Sequence, residues 1–157
     1  MKKSIFIIAF LCTFLMLPKA HAQFSIGAGA SYVFNTKDPA IYLKAIQEVN
    51  KLFSGQFTVT RVFDGFEDYS FTQFDLGPRV QYHLYKGLSF QTNIGFSFAV
   101  ETFKFNGERD TSSESGVSVG AGGVYALGES FSVEANLRKV FSGSENFLGS
   151  VGFFFRF

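Results

Sequence analysis

The chain has 157 residues, enough for one domain with one core. Its 14 basic and 13 acidic residues give a net charge of +1, so nothing in the charge balance indicates a nucleic-acid partner. The 23 Phe, 6 Tyr and 16 Gly, beside only 3 Pro, favour many strands and tight turns over a helical bundle.

The first 22 residues have the pattern of a secretory signal peptide. Two lysines precede an apolar run from Ile5 to Leu17, and Ala20-His21-Ala22 forms a small-residue cleavage site. A membrane anchor is the alternative, but this run is shorter than the roughly 20 residues that a spanning helix needs. We therefore predict a signal peptide at residues 1–22 and one domain at residues 23–157.

Export constrains how the mature chain can be stabilised. Cleavage removes three of the 14 basic residues and no acidic one, which leaves 11 basic and 13 acidic residues. Cys12 is the only cysteine, and bulky Leu11 before it disfavours a lipoprotein site, so the mature chain has no disulfide. His83 is the only histidine after cleavage, so we expect no metal site and no cofactor. A membrane is the remaining source of stability.

The mature chain begins with an alternating strand and then breaks the alternation. Residues 24–34 place Phe, Ile and Tyr on one face and Gly or Ser on the other, as in a narrow barrel. Asp38 and Pro39 then resemble a helix start, and Gly55 resembles a helix end. An apolar stripe of helical spacing lies between them: Tyr42, Ala45, Ile46, Val49, Leu52 and Phe53. We predict a short amphipathic helix at residues 39–53, packed on a barrel rim or membrane surface, with a partner-binding element as the alternative.

Residues 56–63 resume the alternation, with Arg61 on the apolar side, which requires a position near a membrane interface. A turn is predicted at Asp64-Gly65, and the next strand begins at Tyr69 or Phe71. This strand contains Gly77-Pro78, where we expect a bulge or an unpaired position because proline has no N–H.

The clearest pattern in the chain is the hairpin at residues 74–100, which turns at Tyr85-Lys86-Gly87. Even positions are apolar except Pro78 and Thr92, and odd positions are polar or small. A period of two indicates strands whose two faces meet different media.

The remaining chain alternates strands with connections. A polar loop is predicted at Asn106–Ser115, a short turn at Gly128–Ser130 and a loop at Ser142–Asn146. Strands are predicted at 116–127, 131–138 and 147–157. These give seven strands in all, whereas single-chain bacterial barrels have an even number, so an eighth strand is expected within residues 35–73 or by division of another strand.

The Phe-rich face could be the core of a soluble exported barrel or sandwich, or the lipid-facing side of a membrane barrel. Small residues on the polar face, strands of about 11 residues and alternating short and long connections favour the membrane barrel. We therefore predict an all-β, antiparallel up-and-down transmembrane barrel of about eight strands, located in the outer membrane. The polar face carries the residues expected to form a structural network in the lumen: Asp75, Arg79, Glu101, Glu134, Arg138 and Arg156.

Four segments carry a resemblance to a known family: FDLGPRVQY at residues 74–82, LSFQTNIGF at 88–96, GAGGVY at 120–125 and FFFRF at 153–157. The sequence resembles the bacterial outer-membrane β-barrel domain family, which includes small barrels like outer-membrane proteins A, X and W and the PorT-like proteins of Bacteroidota. The resemblance implies that barrel-assembly machinery reads the terminal Phe157, and that a secretion assembly is one kind of partner.

Three functions fit such a barrel. Some small outer-membrane barrels modify lipids with a histidine and a serine, and His83 and Ser89 supply that pair, but a lone luminal histidine more often belongs to a hydrogen-bond network. A small-solute pore is disfavoured because eight strands leave a lumen that side chains fill. We therefore expect a non-catalytic barrel with a plugged lumen that contacts outer-membrane lipid and binds an envelope or secretion-system protein.

Overall fold

The computed structural model describes residues 23–63, 69–105, 108–142 and 146–157, with the backbone alone for residues 69, 104, 105, 108 and 109. The strands are β1 Phe24–Val33, β2 Asp38–Glu48, β3 Phe53–Val62, β4 Tyr69–Tyr85, β5 Leu88–Phe105, β6 Glu108–Ala126, β7 Phe131–Phe141 and β8 Asn146–Arg156. Each pairs antiparallel with the next, and β8 pairs with β1 to close the barrel. The predicted eight-stranded barrel is confirmed. The signal peptide predicted at residues 1–22 and the turn predicted at Asp64-Gly65 lie outside the described residues.

The barrel has its apolar side chains outside and its polar side chains inside. Large hydrophobic residues are exposed on the outer face of every strand, including Ile94 and Phe96 at 53% and 59%. The inner face buries polar residues such as Thr60, Gln73 and Gln91 at 0% or 1% exposure. This inverts the arrangement of a water-soluble protein and is the arrangement expected when the outer face meets lipid.

Strand β2 occupies the segment predicted to be a helix, and that prediction is wrong. The backbone of Asp38–Glu48 pairs with β1 on one side and with β3 on the other. A helix here would leave two strand edges with unpaired N–H and C=O groups in a membrane, at a high cost. The polar residues assigned to the exposed side of the helix belong to the strand or to the turn after it, where the Asn50 side chain accepts hydrogen bonds from the Leu52 and Phe53 amides. No helix in the described ranges is long and apolar enough to cross a membrane.

The missing eighth strand is therefore β2, and the start of β1 and the end of β8 lie at one end of the barrel. We call this the terminus end; it also carries the connections at residues 49–52, 86–87 and 127–130. The opposite end, called the hairpin end, carries the connections at residues 34–37, 63–68, 106–107 and 142–145.

The loop predicted at Asn106–Ser115 is also wrong for most of its length, because β6 begins at Glu108. Strands β5 and β6 stay paired from Phe98 and Ser115 up to Phe105 and Glu108, whereas β7 pairs with β6 only from Val117 downward. We call residues 98–115 the projecting hairpin. Its β6 residues, 108–115, are polar at every position, so the alternation that marks a membrane strand is lost in that half of the hairpin.

Two local features of the β4–β5 hairpin follow from its sequence. The β4–β5 ladder leaves out Gly77 and Pro78 while its register is the same on both sides, so the position is unpaired toward β5, although both residues pair with β3. The register shift lies instead between His83 and Tyr85. The predicted turn at residues 85–87 is confirmed, with positive φ at Lys86 and Gly87 (25° and 86°). Positive φ at both central residues is the requirement of the tight hairpin turn for which glycine is suited.

Candidate functional site

Glu134 is the centre of a buried ion cluster in the lumen. Its carboxylate accepts a hydrogen bond from Lys44 of β2 and another, at 3.1 Å, from Arg79 of β4. The three side chains are 1–4% exposed. The ammonium group of Lys44 also lies 5.5 Å from the ring centroid of Tyr42 and 5.6 Å from that of Phe154. One carboxylate therefore joins three strands across the barrel.

A second buried pair lies closer to the hairpin end. Arg138 of β7 donates to Asp75 of β4 at 2.5 Å, and its other terminal nitrogen lies 3.4 Å from the hydroxyl oxygen of Thr60. Gln73 donates to the same carboxylate at 3.1 Å and to Ser97 at 3.0 Å. Charged groups removed from water are stable only when paired and hydrogen-bonded in this way. The pair ties β7 to β4 through the middle of the lumen.

The structure brings together four of the six residues predicted to form the luminal network: Asp75, Arg79, Glu134 and Arg138. Arg156 lies apart, near the terminus end, where it donates to Glu48 at 3.0 Å with both side chains partly exposed. Glu101 lies in the projecting hairpin, half-buried, opposite Phe71 of β4 and Ser112 of β6.

Lys44 is the network residue that the sequence pattern missed. The predicted helix assigned it to a polar outer side, whereas in β2 it alternates with exposed Ile41 and Leu43 and points into the lumen. With Lys44 included, the Glu134 cluster and the Asp75–Arg138 pair together hold three cations and two carboxylates. The period of two around Lys44 was the available signal, but apolar residues on both sides of β2 concealed it.

An apolar cluster closes the lumen at the hairpin end. Its members come from six strands and are 2–7% exposed: Val33, Ala40, Val62, Phe71, Val140 and Leu148. Each lies within two residues of the end of its strand at the hairpin end. The lumen is thus filled by ion pairs in its middle and by hydrocarbon at this end.

Glycines make room for a tyrosine in the same lumen. A Cβ added at Gly152 would lie 2.2 Å from the Tyr42 hydroxyl oxygen, and one at Gly29 would lie 2.8 Å from a ring carbon of Tyr42. Tyr42 itself is 3% exposed, and its hydroxyl has no hydrogen-bond partner among the described residues. The small residues on β1 and β8 are therefore a packing requirement of the narrow barrel.

His83 and Ser89 form a hydrogen bond near the terminus end, with Nδ1 and Oγ 2.7 Å apart. His83 is exposed, but Ser89 is 1% exposed. A serine that attacks a substrate must be reachable by it, so the burial of Ser89 favours a structural hydrogen bond. In the described ranges, no group of three or more His, Cys, Asp or Glu side chains converges to hold a metal ion.

No protein-family model matches the sequence, and the curated proteins searched contain no match. Solved structures do match. The attachment invasion locus protein Ail of Yersinia pestis is 17% identical, with 87% of this chain and 99% of that chain covered and a TM-score of 0.67. The N-terminal β-barrel domain of Pseudomonas aeruginosa OprF is 14% identical over 86% and 97% of the two chains, with a TM-score of 0.74. A de novo designed transmembrane β-barrel is 13% identical over 90% and 100%, with a TM-score of 0.62.

These likenesses concern the fold. A designed barrel matches about as well as natural ones, so the shared architecture carries no assignment of activity. The fold and the exposed apolar belt together support the expected location in the outer membrane.

Proposed function

We propose that this chain is a non-catalytic outer-membrane barrel with a closed lumen, and that the projecting hairpin binds a protein partner at the cell envelope. The observation that carries the proposal is the extension of β6, paired with β5, beyond the last residue that pairs with β7. A rigid scaffold that holds an exposed polar segment is the usual form of a binding element.

The hairpin has the features of an interaction surface. The β6–β7 ladder ends at Val117, whereas the β5–β6 ladder continues to Glu108 within the described residues. A strand edge beyond the end of a ladder is a place where a strand from another chain can add. Thr111, Ser112 and Ser113 are exposed there. An apolar strand in this position would be an aggregation hazard, and the polar residues avoid it.

The charge of the hairpin favours a basic partner surface. By sequence, residues 98–115 carry four acidic and two basic residues. The backbone register places Glu101, Asp110 and Glu114 on the same face of the ribbon. The structural neighbour Ail has been crystallised with a heparin analogue, which is a polyanion; the net negative charge here disfavours a ligand of that kind.

Two further contacts belong to the proposal. Exposed Phe157, which packs on Phe155 with ring centroids 4.8 Å apart, fits a terminal signal for barrel-assembly machinery. A secretion assembly, as implied by the resemblance to PorT-like proteins, is one candidate for the partner of the hairpin.

Photo-crosslinking in intact cells tests the proposal. A crosslinking residue at exposed Thr111 should give a discrete adduct with a partner protein, while the same residue at Glu129, exposed in the β6–β7 turn at the terminus end, should not. Adducts of equal yield at both positions would count against a hairpin partner. The absence of an adduct at Thr111, in cells grown with envelope stress and in cells grown without it, would also count against one.

A lipid-modifying activity of His83 and Ser89 is the second function to test. We expect the exchange His83→Ala to leave the barrel folded and the lipid A of whole cells unchanged in mass. Loss of a lipid A modification in that variant, with the folded barrel still present, would show that the barrel is an enzyme.

A further inference from the structure

A groove crosses the outer, lipid-facing surface of β4 to β7. Its volume is about 480 Å³, within the roughly 300–1,000 Å³ of ligand sites. The groove exists because short or rigid side chains stand at positions where the rest of the lipid-facing surface carries bulky side chains. Pro78 and Thr92, the two residues that depart from the apolar alternation of their hairpin, line it together with Ala121. Ile94, Leu137 and Phe147 form its walls.

The groove follows a row of neighbouring strands. Val80, Thr92, Ala121 and Leu137 are successive cross-strand partners on β4, β5, β6 and β7. The next row, toward the hairpin end, contains Ile94, Val119, Lys139 and Phe147 as cross-strand partners. The groove is therefore a continuous apolar channel with Lys139 at its upper end.

Lys139 is unusual among outward-facing side chains. Among the strand residues whose side chains the structure describes, the charged residues on the lipid-facing side are Lys139 and Arg61. Both are cations, and both lie near the hairpin end. Lys139 is half-buried, and its ammonium group lies 4.8 Å from the ring centroid of Phe141. A lysine that lies near a strand end can bring its charge to the membrane interface, where lipid phosphates lie.

We propose that this groove binds an acyl chain of a phosphate-bearing membrane lipid, with the lipid phosphate held by Lys139. A cation at the interface and an apolar channel leading from it match the two chemical parts of such a lipid. A phosphate monoester carries close to two negative charges and makes strong charge-assisted hydrogen bonds with lysine. The site is separate from the projecting hairpin, so its test is independent of the crosslinking result.

Native mass spectrometry of the folded barrel in detergent tests the site. Dimyristoyl phosphatidic acid is the probe, dimyristoyl phosphatidylcholine has the same chains without the free monoester, and inorganic phosphate has the headgroup without the chains. We expect one tightly bound phosphatidic acid, weaker retention of phosphatidylcholine and no retention of inorganic phosphate.

Two variants separate the parts of the site. Lys139→Gln should weaken retention of phosphatidic acid about fivefold while leaving phosphatidylcholine unchanged, since it removes one charge-assisted contact. Ala121→Leu should weaken both lipids about threefold or more, because leucine fills the channel floor. The matched controls are Arg61→Gln, a lipid-facing cation on β3, and Ala28→Leu, a lipid-facing alanine on β1. Both should bind like the unmodified chain, and a heat-dependent gel shift confirms folding of each variant.

The proposal is overturned if phosphatidic acid is retained no better than phosphatidylcholine. It is also overturned if Arg61→Gln weakens retention as much as Lys139→Gln does, since the contact would then be general attraction between cations and anionic lipid. An Ala121→Leu variant that retains both lipids normally would show that the channel is not where the chain lies.

Discussion

The lumen and the projecting hairpin share strands β5 and β6 but use polar side chains in opposite ways. In the lumen, Ser97 of β5 and Ser118 of β6 are 2% exposed; Ser97 accepts a hydrogen bond from Gln73, and Ser118 donates one to the Gly95 carbonyl. In the projecting hairpin, Thr111, Ser112 and Ser113 of the same sheet are exposed. Buried polar groups that hydrogen-bond to one another fill the lumen, whereas polar groups exposed at the surface can hydrogen-bond to another molecule. We therefore expect the lumen to determine stability, and the exposed polar residues of the hairpin support its proposed role in binding.

Breaking the Glu134 cluster should have the largest effect on stability. Glu134→Ala leaves Lys44 and Arg79 buried without their carboxylate, and removal of one partner of a buried ion pair costs about 3–5 kcal/mol. Urea unfolding in phospholipid vesicles measures the change. Glu129→Ala in the exposed β6–β7 turn is the control and should be neutral. A neutral Glu134→Ala would mean that the cluster does not hold the barrel together.

The Asp75–Arg138 pair should show coupling. In a double-mutant cycle with Asp75→Asn and Arg138→Gln, the coupling free energy should be about 1–3 kcal/mol, because each single change leaves the other member in the lumen. The same cycle on Glu48 and Arg156, which are 26% and 41% exposed, should give at most about 1 kcal/mol. Similar coupling in both pairs would contradict the distinction between lumen and rim.

The contact between Gly152 and Tyr42 should be measurable through steric conflict. Gly152→Ala places a methyl group against the Tyr42 ring and should cost about 1–3 kcal/mol, the usual range for overpacking. Tyr42→Phe alone should change stability little, since the hydroxyl has no partner among the described residues. Combined with Gly152→Ala, it should restore part of the loss. Failure of the double variant to recover any stability would place the conflict in the backbone.

The smallest effect on stability is expected from the projecting hairpin. Replacing residues 104–109 by a short Asn-Gly turn should change the free energy of unfolding by less than about 1 kcal/mol, because within the described residues these positions pair only with one another and shortening a connection changes loop entropy only slightly. The same variant removes the tip of the hairpin and should weaken the adduct of the proposed envelope partner, tested with a crosslinking residue at Ser115. Collapse of the barrel on this truncation would show that the hairpin belongs to the folding unit.

The sequence predicted the fold where the two faces of a strand meet different media. Between residues 74 and 100, lipid on one side and the lumen on the other produce strict alternation, which identified the strands, the 85–87 turn and the direction of each face. Two of the four segments that carry the resemblance to outer-membrane barrels lie in this same hairpin. Asp75, Arg79, Glu134 and Arg138 could be assigned to the lumen for this reason.

The sequence failed where both faces of a strand meet similar media. In β2 the inward residues Ala40, Tyr42 and Ile46 are apolar because they pack with Phe154 and with the cluster at the hairpin end. Apolar residues on both faces looked like a helical stripe. Because β2 was predicted as a helix, Lys44 was not assigned to the lumen. In residues 108–115 of β6 both faces are polar, and this segment was therefore predicted as a loop. Pairing with neighbouring strands decides both cases, and a single sequence does not display it.

Single-channel recording in planar bilayers tests most directly whether the lumen is closed. We expect no sustained conductance from the folded, unmodified protein across a range of voltages, because the Glu134 and Asp75 ion pairs and the apolar cluster around Phe71 and Leu148 fill the lumen. An open porin recorded in the same membranes confirms that a channel would be detected. Stable conductance steps from the unmodified barrel would contradict the closed lumen. Solute transport would then be the favoured function.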